Sequence, residues 1–423
     1  MKNILIKSFT RIKNDKFLTG SLVLFCGSLL VGAINYLYQF LMARMLTVSV
    51  YGELQSLIAI FAVSGVLTGA ISTVLTKYTA GFKANNRTDK IYSIFLLFTK
   101  KTTVVALILF AFFVLLSGNI SGFLKMTSII PLIIIGLSFI FGFSSSVNSG
   151  ILRGLQKFKE LSLVSITSTL IKLIFGVLLV KLGFAVNGAV GAVSLASLVG
   201  YLISFYPIKF LFKLKTVKIE TKEILRYSFP VFLTLLSTTL LCSVNVILVK
   251  HFFSAQTAGE FGALIVLGNI IFFMVGPISG VMFPMAADAH SSLGNPAKIL
   301  KKAICLVAFI GAVIVGCYFF IPNLIIKVLL GSKFLIIGKY LGWVGVSMFM
   351  YSFVSLFSSY FLSVGRLKGA YLVGVGALLQ IVFITVFHSD LWQIIWIMNI
   401  VMFLTLLLLI SYFIKIYYLC AKN

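Results

Sequence analysis

Apolar residues run along this chain in unbroken stretches of about twenty, separated by short polar segments. At about 1.5 Å per helical residue, such a stretch matches the ~30 Å hydrocarbon core of a bilayer. Twelve are found, at roughly 18–44, 53–78, 102–118, 128–150, 161–182, 185–207, 228–250, 259–285, 299–321, 338–363, 369–388 and 391–414. The third is short, and Lys100 and Lys101 mark its cytoplasmic edge. The period-two alternation of an outer-membrane barrel is missing. Helices are the expected spanning element, because a bilayer offers no water to bond an unpaired amide. The pattern predicts an all-α polytopic membrane protein with twelve transmembrane helices.

The pattern also repeats. Val50-Tyr-Gly-Glu-Leu-Gln-Ser-Leu57 returns in degraded form as Thr257-Ala-Gly-Glu-Phe-Gly-Ala-Leu264, 207 residues later. Ile151-Leu-Arg-Gly-Leu-Gln-Lys157 is matched by Leu362-Ser-Val-Gly-Arg-Leu-Lys368 at an offset of 211. Ser28, Gly32, Asn35 and Gln39 share one helical face, and Thr234, Thr238, Leu241 and Asn245 repeat that spacing at an offset of 206. Three matches at nearly one offset indicate duplication. Six spans is an even number, so the second half enters with the orientation of the first and the repeats are parallel. The expected organisation is an amphipathic cytoplasmic segment 1–17, a six-helix bundle 18–208, a basic cytoplasmic linker 209–227 and a second bundle 228–423, around a central cavity.

Composition agrees: 60% of residues are hydrophobic, 10% are charged and the mean hydropathy is +1.14. With the N-terminus inside, the cytoplasmic segments hold 27 of the 35 Lys and Arg residues and the outer segments 7; Lys172 lies within a span. That asymmetry places both termini in the cytoplasm. The net charge of +26 is therefore topogenic, and it attracts anionic headgroups rather than nucleic acid. Trp343, Trp392 and Trp396 fall at the predicted outer interface. Leu5, Phe9 and Ile12 give residues 1–17 one apolar face, which reads as a surface-lying helix and not a signal peptide. Cys26, Cys242, Cys305, Cys317 and Cys420 form no close-spaced pair and read as small apolar core residues.

Polar side chains inside the spans carry the candidate chemistry. Lys172 sits midway along the fifth span, with Ser165, Ser168, Thr169 and Gly176 on its face. A charge at a helix centre costs about 2.5–3.5 kcal/mol on insertion scales, so it belongs against protein or water. The alternative is an ammonium that snorkels to the headgroups along its own apolar stem. Gln380 corresponds roughly to it in the second half; Asn35, Gln39 and Asn245 complete the candidate cavity polar set. Arg44 closes the first span at the outer edge, as a cavity cation or an interfacial anchor. Lys250 and His251 read as ordinary interface residues. Lys77, Arg153, Arg226 and Arg366 lie where spans meet the cytoplasm and are candidates for meeting a phosphate there. All nine carboxylates fall in loops or at span ends. A cation exporter or a carboxylate-based antiporter needs an acid at mid-membrane depth, so this interior suits an anion. There is no phosphate-binding loop, no Ser/His/Asp or Cys/His set and no metal-ligand cluster, so neither catalysis nor a cofactor is expected.

The chain resembles the polysaccharide-unit flippases (Wzx type) of the multidrug/oligosaccharidyl-lipid/polysaccharide exporter superfamily. The resemblance rests on Leu41-Met-Ala-Arg44-Met-Leu followed by Val50-Tyr-Gly52-Glu; on Gly150-Ile-Leu-Arg-Gly154-Leu-Gln-Lys-Phe158; on Thr257-Ala-Gly259-Glu-Phe; on Phe283-Pro284; and on the Leu330-Gly331 turn. It implies a V-shaped pair of six-helix bundles with a cationic cavity, in a bacterial cytoplasmic membrane. Such proteins move a glycan linked to undecaprenyl pyrophosphate to the outer leaflet by alternating access. Lys172 and Arg44 are then expected at the pyrophosphate, and a polymerase and glycosyltransferases as partners. Arg44 matches the family's arginine after the first span. Several relatives carry an acid in span seven where this chain has Asn245, which argues against ion coupling there. The competing expectations are a multidrug or lipid II exporter of a sister branch, and a non-transporting scaffold for polysaccharide synthesis.

Overall fold

The structure is a computed structural model that describes residues 16–217, 222–291, 295–366 and 368–421. Most of the expected amphipathic segment 1–17 lies outside them. The described residues are helical throughout, in the order α1 (Lys16–Met45), α2 (Val48–Ala84), α3 (Thr88–Leu115), α4 (Ser117–Phe123), α5 (Ile130–Gly154), α6 (Phe158–Leu179), α7 (Ala185–Ser204), α8 (Lys222–Phe252), α9 (Ala255–Ser291), α10 (Pro296–Phe320), α11 (Pro322–Leu329), α12 (Gly338–Ser363), α13 (Lys368–Val386) and α14 (Leu391–Ala421). Short 3-10 helices at Tyr206–Lys213 and Ser332–Ile337 complete the order. Among the described residues, eleven helical stretches are long and apolar enough to cross a membrane, and one of them, Phe158–Ser204, is two. Gly183 (φ 91°) and Ala185 (φ 44°) turn the chain between α6 and α7, which pack on each other. Twelve spanning helices result, each on one of the predicted runs.

Helix ends depart from the runs. The third begins at Thr88, so Lys100 and Lys101 sit well inside α3 rather than at its edge. α2 and α9 are each 37 residues, about 55 Å, nearly twice the hydrocarbon thickness. The cause is general: hydropathy records where lipid begins, while a helix continues through headgroups wherever its backbone bonds stay satisfied.

Several helices stop in the same way. The Lys157 amide donates to the Leu152 carbonyl at 2.9 Å, and the Arg366 amide to the Phe361 carbonyl at 2.7 Å. The residue before each, Gln156 (φ 61°) and Gly365 (φ 71°), is left-handed. This is the Schellman closure of orphan helix carbonyls, at equivalent ends of α5 and α12. The duplication extends to packing. α5 packs on α3 and α7, and α6 on α7; likewise α12 packs on α10 and α14, and α13 on α14. Each half also inserts a short helix, α4 or α11, after its third spanning helix.

The chain forms two compact units. One holds the described residues up to Met42 together with Leu67–Ser121 and Ser128–Phe229; the other holds Ala43–Val66, Gly122–Thr127 and the described residues from Pro230 on. In the first unit, Ile208 and Leu211 of the 3-10 helix are fully buried among Val74, Ile91, Phe95, Val147, Ile151 and Leu161. The beginning of the expected linker is thus docked, and the Lys157 ammonium fixes it by donating to the Pro207 carbonyl at 2.8 Å. The cysteines need correction: Cys26, Cys305 and Cys317 are free and exposed on helix surfaces rather than in the core. Composition does not separate these locations, because a lipid-facing surface is as apolar as the interior.

Candidate functional site

In the first unit α1 and α6 bring Asn35, Tyr38 and Lys172 together. The Lys172 ammonium donates to the Asn35 side-chain oxygen and lies 4.7 Å from the centre of the Tyr38 ring. Both partners are neutral, so neither cancels its charge. Lys172 is half-buried and Tyr38 has no exposed surface. Tyr38 donates its hydroxyl to the Ala189 carbonyl of α7 at 2.9 Å. Its ring also fills the space that a side chain at Gly176 would occupy: a Cβ there would stand 2.6 Å from the Tyr38 ring. Ser165, Ser168 and Thr169, the hydroxyls on the face of Lys172, return their protons to carbonyls one turn back in α6, at 3.0, 2.8 and 2.7 Å. They close on their own helix, as Ser and Thr often do in apolar surroundings.

The second unit contains Arg44, within a reciprocal exchange of helix caps. The Arg44 guanidinium donates to the Lys327 and Leu329 carbonyls, both at 3.4 Å, and to the Val328 carbonyl, all at the C-terminal end of α11. Lys333, just beyond that end, donates to the Arg44 carbonyl at 3.1 Å and to the Leu46 carbonyl at the end of α1. Each helix end exposes orphan carbonyls and a negative dipole end, and each is met by a cation from the other segment. Arg44→Ala is expected to lower stability by about 1 kcal/mol, the worth of a charged bond made partly in solvent. Lys333→Ala should do the same, and the double variant should cost less than the sum, because both act on one contact. Thermal unfolding of the four proteins in detergent checks this; a strictly additive pair removes the shared contact.

The other predicted residues are dispersed. Gln39 is half-buried on α1. Asn245 and Gln380 are fully buried inside the second unit. The Asn245 amide reaches the Met398 sulfur at 3.4 Å, and the Gln380 amide donates to the Leu241 carbonyl at 3.3 Å, so the two hold α8 to α14 and α13. Lys77, Arg153 and Arg366 are exposed at or near inner helix ends; the Arg226 side chain lies outside the described residues. Lys250 is no ordinary interface residue: only 1% of it is exposed. It interacts electrostatically with Glu53, itself 8% exposed, and with Lys125. Its neighbour His251 stacks on Phe123, ring centres 3.9 Å apart. Around this node the two copies of the repeated phrase meet: a Cβ at Gly52 would stand 2.7 Å from the Gly259 nitrogen. Sequence reasoning missed Tyr38 and the Glu53–Lys250 pair. For Tyr38 a signal existed, since Gly176 follows Lys172 by one helical turn and leaves room for a ring.

Comparison with known proteins agrees with this architecture. The family described as polysaccharide biosynthesis protein matches residues 17–290, well over half of the chain. A Shigella dysenteriae protein provisionally described as an O-antigen transporter is 22% identical over 324 residues, 74% of this chain and 78% of that one. An uncharacterized membrane protein of Methanocaldococcus jannaschii is 26% identical over 302 residues, covering 67% and 70%. Among solved structures, an inward-facing multidrug resistance transporter of the MATE family superposes with a TM-score of 0.77 at 14% identity, covering 95% and 99% of the two chains. The lipid II flippase in an inward closed conformation gives 0.71 at 17% identity, covering 93% and 87%. These neighbours establish a shared transporter fold. The chain is a multi-pass membrane protein that shares the fold of these transporters, and it belongs to the polysaccharide biosynthesis protein family.

Proposed function

We propose that this protein is a flippase for glycan units linked to a polyprenyl pyrophosphate, carrying them from the inner to the outer leaflet of a bacterial cytoplasmic membrane. The observation that carries the reading is Lys172, an uncancelled cation held midway along a spanning helix by two neutral groups. Pyrophosphate does not cross ~30 Å of hydrocarbon unpaired, and an ammonium replaces part of its lost hydration. An inside-negative potential favours outward movement of such an anion by roughly 2.3 kcal/mol per charge per 100 mV. Alternating access driven by that potential needs no carboxylate in the interior. Lys172 meets the pyrophosphate in this reading, while Arg44 serves the outer end of α1, and Asn245 and Gln380 serve helix packing. The product feeds O-antigen or capsule assembly, beside a polymerase and glycosyltransferases.

Purified protein in vesicles containing a polyprenyl-pyrophosphate-linked oligosaccharide tests this. Lectin accessibility of the glycan across the bilayer should rise within minutes above that of protein-free vesicles. An unchanged distribution, with a cationic dye transported by the same preparation, overturns the proposal in favour of drug export.

A further inference from the structure

We propose that Tyr38 is a positioning residue, which together with the gap at Gly176 sets where the Lys172 ammonium stands and so fixes affinity for a pyrophosphate. The inference rests on the function proposed above and goes beyond it, because it assigns the anion contact to a three-residue device and not to a lysine alone. Three constraints act on one ring. The hydroxyl is tied to the Ala189 carbonyl of α7 at 2.9 Å. The ring edge occupies the space beside Gly176 on α6, where a Cβ would come within 2.6 Å. The ring face carries the Lys172 ammonium 4.7 Å from its centre. Tyr38 has no exposed surface, so the ring is anchored by packing as well as by its bond.

A lysine has four rotatable bonds and a strongly hydrated head, and in an apolar helix it tends to reach for the headgroups. The Tyr38 face opposes that. A cation over a desolvated aromatic ring is held by the ring quadrupole without loss of charge, unlike a cation paired with a carboxylate. The ammonium is thereby kept at one height and still carries its full attraction for an oxyanion. Asn35, one turn before Tyr38 on α1, supplies the complementary hydrogen bond and leaves the charge equally intact. The substrate class selected is an anion with closely spaced oxyanions, such as the pyrophosphate of a lipid carrier.

The test is a double-mutant cycle in lipid nanodiscs, with farnesyl pyrophosphate as the binding probe and farnesol as the uncharged control. Tyr38→Phe keeps the ring and should bind within about threefold of wild type. Tyr38→Leu removes it and should weaken pyrophosphate binding roughly tenfold, the scale of one desolvated cation–ring contact, with farnesol unaffected. Gly176→Ala displaces the ring and should produce the same loss, which keeps the test alive should Tyr38→Leu fold poorly. In a Lys172→Gln background neither Tyr38→Leu nor Gly176→Ala should change affinity further, although both still lower the unfolding temperature. A purely structural tyrosine would weaken binding equally in both backgrounds, which overturns the inference. If Lys172→Gln weakens binding and Tyr38→Leu does not, the positioning role fails and the proposed function stands. Should Lys172→Gln itself bind pyrophosphate like wild type, the anion site and the positioning role fall together.

Discussion

Lys172→Gln is expected to slow glycan translocation in vesicles by roughly 10- to 100-fold, the loss that follows removal of one charged contact in a poorly solvated site. Stability should move the other way. A charge at a helix centre carries an insertion cost of about 2.5–3.5 kcal/mol, and glutamine removes most of it. Glutamine retains an amide that can still donate to Asn35, so the contact between α1 and α6 survives. The variant should therefore express well, unfold at the same or a higher temperature, and fail to transport. That opposition of signs is what a functional charge predicts, since an unfavourable group is retained for what it binds. A lysine serving only to anchor α6 would give matching losses of stability and transport. Vesicle translocation measured beside thermal unfolding in detergent distinguishes the two, and wild-type translocation by Lys172→Gln removes Lys172 from the mechanism.

Legibility in the sequence followed physical range. All twelve spanning helices were readable, because each crossing must be apolar over its whole length and nothing distant alters that requirement. Helix ends were not, as Thr88 at the start of α3 illustrates: capping and headgroup solvation leave little mark on hydropathy. Lys172 was readable because a lone cation in an apolar run is costly wherever it lies. Tyr38, its aromatic partner, left only the indirect trace of Gly176 one turn beyond Lys172; a tyrosine on a membrane helix is ordinary until its ring is seen under an ammonium. The role of Arg44 was hidden more deeply. Its carbonyl partners lie 283 to 285 residues away, in a short helix whose own run of residues gives no sign of a missing cap. Glu53 and Lys250 show the same blindness, since each looks like an ordinary end-of-span charge and only their shared burial distinguishes them. The repeat was legible as a phrase, while the contact between its two copies was not.

That contact makes Gly259→Ala the substitution with the largest expected effect on stability. A Cβ at Gly259 would overlap the Val48 carbonyl oxygen and stand 2.7 Å from its carbon; at Gly52 it would stand 2.7 Å from the Gly259 nitrogen and 3.0 Å from its Cα. These obstacles are backbone, at the first turns of α2 and α9, so no side chain can rotate away. Relief requires the two helix starts to separate. Overpacking of this kind costs typically 1–3 kcal/mol and sometimes more, against roughly 1 kcal/mol gained from the better helix propensity of alanine. A net loss of about 2 kcal/mol is expected, which lowers the unfolding temperature of a chain this long by roughly 2 °C. Gly276→Ala and Gly280→Ala in the same helix are the controls, because a Cβ at either meets nothing within 4 Å. They should be neutral or slightly stabilising, as propensity alone dictates. Gly52→Ala should resemble Gly259→Ala, and the double variant should lose little beyond either single, since once the helix starts have parted the second methyl finds room. Equal effects at Gly259 and Gly276 would mean that the two helix starts do not meet as described, and that the duplicated glycines are a relic of the repeat without a structural task.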